Sequence, residues 1–203
     1  MTQVTLKRRD ARLDALIEKD PKLQHLFDHV GDLTIEISWD MFPFLVYTII
    51  GQQLSVKVVQ TLYARLLSAC QNTLTPERLL GLSKDTLRSL GLSMRKAEYL
   101  HALALAADSG MLEKDTLDTF EKPELFAHFQ EIRGIGPWSV DMVLMFVFDD
   151  MDHFSKKDLG LIHGYNRFFN RDMHPDDIEK DAMNWRPYRS IVAHYLWHVH
   201  DSK

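Results

Sequence analysis

The sequence predicts an all-α fold of about ten helices. Apolar residues recur at three- and four-residue spacing along nearly the whole chain, and the gaps between these runs carry helix start and stop residues. Only Leu33 to Ile37 alternates apolar and polar residues as a strand does, and a single strand has nothing to pair with.

Each run carries its own signals. Asp20-Pro21 opens a helix that Gly31 closes. Met41 to Ile50 is apolar almost throughout, interrupted by Pro43 and followed by Gly51; Ser55 is placed to cap the next run, VKVVQTLYARLLSA, whose valines and leucines share one face. Both segments are expected to be deeply buried. Thr75-Pro76-Glu77 starts a short helix, Ser83 caps another that ends at Gly91, and Ser93 caps a longer one reaching about Ala107. A helix from Pro123 to Ile132 is interrupted by Arg133-Gly134-Ile135-Gly136, and Pro137 opens the next, WSVDMVLMFVF, so residues 122–148 are expected to form a helical hairpin. After a polar loop from Asp149 to Lys157 come helices from about Asp158 to Phe169, after Pro175, and from Pro187 to His200. The polar stretch Asp108 to Leu117, which contains Gly110, is the expected meeting point, near residue 115, of two helical lobes within one domain spanning residues 1–203.

Composition narrows the function. At 203 residues, with 45% hydrophobic and 26% charged, the chain can bury a core without staples. The single cysteine, Cys70, excludes an intrachain disulfide, a four-thiolate iron–sulfur cluster and a cysteine-built zinc site. A reducing cytoplasm is the expected location. The formal charge, 24 minus 29 or -5, argues against an all-round basic coat and leaves room for a local basic face. The basic N-terminal segment is not followed by an apolar run, and no later segment approaches ~18 uninterrupted apolar residues, so neither secretion nor a membrane span is expected. His194, His198 and His200 share the terminal helix, but their spacing, without nearby carboxylates, does not suit zinc.

Two glycines one residue apart, Gly134 and Gly136, permit a tight reversal and leave successive backbone amides uncovered. With the dipole of the helix after Pro137, those amides suit a phosphate and need no lysine, which reconciles nucleic-acid binding with a net negative charge. Taken alone, such a turn is more often only a plain connection between helices.

Context decides between the two. LFAHFQEIRGIGPWSVDMVLMF resembles the helix-hairpin-helix of DNA-repair glycosylases, and DHFSKKDLGL resembles that superfamily's loop ending in a catalytic aspartate, here Asp158, which lies 22 residues after Gly136. IIGQQLSVKVV, GLSMRKAEYLHALA and WRPYRSIVAHYLW match three further pieces in order. Over roughly residues 20 to 200 the five motifs together resemble the 3-methyladenine DNA glycosylase II (AlkA-like) family, in a short form without the N-terminal β-rich lobe of longer bacterial members. The resemblance implies an active site in the cleft between the lobes. It also implies a monomer that acts on double-stranded DNA with alkylated bases, without a catalytic cofactor.

The chemistry agrees with that implication. A purine alkylated at N3 or N7 is cationic and leaves as a neutral base, so help is needed at the sugar, where one carboxylate can stabilise the oxocarbenium ion and orient or deprotonate water. By resemblance that carboxylate is Asp158; by sequence alone it is also a plain N-cap. Trp138 and Trp197 match pocket positions whose indole faces would attract a cationic base, with Met142 where some relatives carry a tyrosine. Trp138 also occupies the position at which strand-cleaving members carry a Schiff-base lysine, so lyase activity is not expected. Gln53 matches the wedge that fills the gap left by a flipped base, with Gln52 and Ser55 beside it. Expected DNA contacts are Gln52, Gly134, Gly136, Ser139, Lys96, Lys156 and Lys157, together with Arg186 and Arg189, although Arg189 also reads as a partner of a buried acid such as Asp141. The family's hairpins hold a monovalent cation on backbone carbonyls, here those of Gln130, Ile132 and Ile135. Two rival readings stand beside this one: a glycosylase for deaminated or mismatched bases, and a non-catalytic module that binds damaged DNA.

Overall fold

The computed structural model describes residues 2–37 and 40–202. Its first part contains strand β1 (Thr2–Leu6), helices α1 (Ala11–Lys19) and α2 (Leu23–Val30), and strand β2 (Leu33–Ile37). Helices α3 (Met41–Gly51), α4 (Val56–Ala69), α5 (Pro76–Leu80), α6 (Lys84–Ser89) and α7 (Met94–Asp108) follow. The remainder comprises α8 (Lys114–Leu117), α9 (Lys122–Gln130), α10 (Pro137–Phe146), α11 (Leu159–Phe169), α12 (Pro175–Ala182), a 3-10 turn (Met183–Trp185) and α13 (Arg189–Asp201).

The fold is essentially all-α, and its helix boundaries have local causes. The side chains of Thr75, Ser83 and Ser93 accept hydrogen bonds from the amides of Arg78, Thr86 and Lys96, which fixes the starts of α5, α6 and α7. Ser55 stands at the N-cap of α4, but its hydroxyl makes no capping bond. Pro43 does not interrupt α3, because it lies in the first turn, where an amide hydrogen would have no helical acceptor. Among the described residues there are thirteen α-helices rather than about ten, and α1 is one that the sequence reading passes over. β2 does have a partner: it pairs antiparallel with β1, Leu6 opposite Leu33 and Thr2 opposite Ile37.

The chain divides into two compact units, one of residues 1–38 with 144–203 and one of residues 39–143. Residue 115, the expected meeting point of the lobes, lies inside the second unit. The polar stretch there is a surface turn into α8, whose Leu117 is fully buried.

In the first unit α11 packs along α13, and α13 in turn packs on α2. A Cβ on Gly164 would sit 2.3 Å from the Leu196 carbonyl oxygen, so only glycine allows this approach of α11 to α13. Trp185 is fully buried and donates its indole N–H to Asp20 at 2.8 Å, while Lys22 pairs with Asp181 at 2.8 Å. In the second unit α3 packs against α4 and α7, and α5 and α6 cover other parts of α7. No helix among the described residues is long and apolar enough to cross a membrane.

Candidate active site and nucleic-acid interface

In the first unit Asp158 is the N-cap of α11, with extended backbone (φ -85°, ψ 110°), and its side chain is buried. Its Oδ1 accepts two hydrogen bonds, from the Leu161 amide at 2.9 Å and from the Trp197 indole N–H at 2.9 Å. The second bond depends on the close α11–α13 packing, which sets Trp197 beside the start of α11. Gly160 completes the arrangement, since a Cβ there would lie 3.1 Å from both Asp158 Oδ1 and Trp197 Cδ1. Two donors on one oxygen fix the carboxylate's orientation, and a helix N-terminus favours negative charge at that position.

Trp197 is itself held by aromatic neighbours. Phe146 stacks on it with centroids 5.7 Å apart, and the His194 ring meets it edge-on at 5.3 Å. Its N–H and part of its ring surface are therefore engaged within the protein.

His194 is buried against these rings, and that burial pushes its pKa down to about 4. An unfolded-state histidine takes up a proton near pH 6.5, whereas the folded one resists until about 4. Between those values the unfolded chain binds more protons, so stability falls as pH drops through the window, by roughly 3 kcal/mol in all from this group. His194→Phe is expected to flatten the dependence of melting temperature on pH between about 6.5 and 4 relative to wild type.

Three of the cations expected to meet DNA, Lys156, Arg186 and Arg189, have acidic partners. Lys156 pairs with Glu179 at 2.7 Å and Asp176 at 3.0 Å. Arg189 pairs with Asp152 at 2.7 Å, and Arg186 pairs with the same Asp152 at 2.8 Å. Burial alone would raise the Asp152 carboxyl, but the two guanidiniums hold it below the usual carboxylate range. Lys157 is exposed and has no ion pair among the described residues.

The second unit carries the hairpin. Gly134 has φ 103°, and a Cβ there would lie 2.3 Å from Tyr99 Cγ, whereas nothing lies within 4 Å of the Cβ position of Gly136. Trp138 is half-buried, and Met142 and Ser139 are buried, so the Ser139 hydroxyl is not a surface group. Gln52 points inward: its amide donates to the Gly134 carbonyl at 2.9 Å and reaches Ser139 Oγ at 3.5 Å. Lys96 is likewise drawn in. Its ammonium donates to the carbonyls of Ile50 at 2.7 Å and Gln52 at 2.9 Å, and burial pulls its pKa below the usual lysine value. Gln53 and Ser55 are exposed, and Gln53 has φ 61°.

The sequence names Asp158, Trp197 and Gln53 as candidates but not Phe146 or Gly160, the groups that fix Trp197 and allow its approach. A glycine two residues after a capping aspartate is a signal available in the sequence. The Phe146 contact, across 51 residues of chain, has none.

Comparison with known proteins adds an independent observation. Residues 46–187 match the family described as "HhH-GPD superfamily base excision DNA repair protein". The YfjP protein of Bacillus subtilis is 30% identical over 199 residues, covering 86% of this chain and 68% of that protein. The structure is similar to that of a Schizosaccharomyces pombe 3-methyladenine DNA glycosylase in complex with abasic DNA (TM-score 0.85, 26% identity, 93% of this chain and 95% of the other). It is also similar to a DNA-3-methyladenine glycosidase of Bacillus halodurans (TM-score 0.82, 26% identity, 98% and 93%).

Proposed function

The chain belongs to the HhH-GPD superfamily of base excision DNA repair proteins, and on that premise we propose that it is a monofunctional DNA glycosylase that excises alkylated purines from duplex DNA. The observation that carries the reading is Asp158, a buried carboxylate at a helix N-terminus whose Oδ1 is fixed by two N–H donors. Extrusion of the damaged nucleotide costs a few kcal/mol, less where alkylation weakens pairing. The C1′–N bond then breaks, its electron pair leaves with the cationic purine as a neutral base, and positive charge develops on the sugar. The Asp158 carboxylate stabilises that charge and takes a proton from the water that adds to C1′. Products are a free base and an abasic site. A non-nucleophilic side chain at position 138 fits hydrolysis without strand scission.

Unit 2 supplies the grip. The open space at the Cβ position of Gly136, at the start of α10, leaves room for a phosphate to approach the hairpin backbone, and the exposed Gln53 suits the minor groove. The carbonyls of Gln130 and Ile135 take no hydrogen bond among the described residues, and that of Ile132 takes one, from the Ile135 amide at 3.0 Å. All three therefore retain lone pairs with which they would hold a monovalent cation, and the ion would add positive charge to the hairpin.

The reading is tested by single-turnover release of 3-methyladenine and 7-methylguanine compared with hypoxanthine and uracil. Faster release of the cationic bases, with strands left intact, is expected. Preference for uracil or hypoxanthine supports the deaminated-base alternative, and lesion binding without any release supports a binding module.

Trp197 is assigned to positioning Asp158. Trp197→Phe keeps a ring but removes the N–H, a bond to a charged group worth ~1.5 to 3 kcal/mol. Excision of charged 3-methyladenine and neutral hypoxanthine should fall by a similar factor, about 10-fold or more. Selective loss of the charged substrate would instead make the indole face a cation–π platform for the base.

A further inference from the structure

We propose that Lys96 and Gln52 are positioning residues that hold Gln53 in a strained turn poised for base extrusion, rather than contacts to the DNA backbone. This rests on the reading of Gln53 as the group that enters the duplex.

The turn runs from Gly51 to Leu54 and is closed by a hydrogen bond from the Leu54 amide to the Gly51 carbonyl at 3.0 Å. Gln52 has φ -51° and ψ 118°, and Gln53 has φ 61°, values that belong to a type II turn. The third position of such a turn favours glycine. Here it carries a long, exposed glutamine, and a residue kept in an unfavourable conformation persists only where its surroundings over-determine it.

Two clamps supply that constraint, both inside the second unit. From α7, Lys96 donates to the carbonyls of Ile50 and Gln52, groups that the end of α3 leaves without helical partners. The Gln52 side chain donates to the Gly134 carbonyl of the hairpin. One residue is thus gripped at its carbonyl by α7 and fastened through its amide to the hairpin. The next residue is the exposed Gln53. The hairpin and the Gln53 turn are joined as one rigid piece, so a phosphate bound at the hairpin fixes where Gln53 meets the duplex.

Preorganisation of this kind acts on extrusion and not on bond cleavage, which separates it from a general structural role. The experiment compares single-turnover excision of one lesion placed either opposite its normal partner or opposite an abasic site, where little pairing remains to be broken. Wild type must excise both; release from neither would overturn the glycosylase assignment and not this one. Lys96→Met and Gln52→Met are expected to slow excision of the paired lesion about 10-fold or more, and of the unpaired lesion by less than about 3-fold, with Lys96→Arg recovering part of the loss. Gln52→Met keeps the test open if Lys96→Met does not fold. Equal loss on the two substrates, or no loss on either, overturns the proposal.

Discussion

Asp158→Asn is expected to lower base release by on the order of 10²-fold or more while leaving the melting temperature and the affinity for abasic-site DNA nearly unchanged. Asparagine is as good an N-cap as aspartate, and its amide oxygen can still accept the Leu161 and Trp197 N–H bonds, so the substitution removes charge and little else. Because the carboxylate acts on charge that develops only in the transition state, binding should survive. Simultaneous loss of binding and stability would make Asp158 a structural cap.

The second large effect is on the hairpin. Gly134→Ala places a Cβ 2.3 Å from the Tyr99 ring at φ 103°, a conformation that L side chains rarely adopt, and should cost roughly 3 kcal/mol of stability. Gly136→Ala is the informative partner. Its Cβ enters open space, so the fold should keep its melting temperature, while affinity falls several-fold for damaged and undamaged duplex alike because the methyl group obstructs phosphate approach to the amides. Unchanged affinity would make the hairpin no more than a turn.

Much of this was legible in local chemistry. Thr75, Ser83, Ser93 and Asp158 cap the helices their types and spacing predict, because capping depends on a few consecutive residues. β1 was not, since TQVTL buries only Leu6 and acquires strand character from its pairing with β2. Lys96, Lys156 and Arg189 read as phosphate contacts because a cation in a sequence carries no indication of its acceptor. The fold gives them backbone carbonyls, the acids of α12 and Asp152. Trp197 stands out in the sequence as a candidate, but its bond to Asp158 requires α11 and α13 to meet at Gly164, a contact made between distant parts of the chain.

The most direct measurement is chromatography of the bases released when the wild-type protein is incubated with methylated duplex DNA. Free 3-methyladenine and 7-methylguanine should accumulate in proportion to enzyme and time, leaving strands that break only on later alkaline treatment of their abasic sites. Methylated DNA that is bound by the protein yet yields no free base would contradict the account.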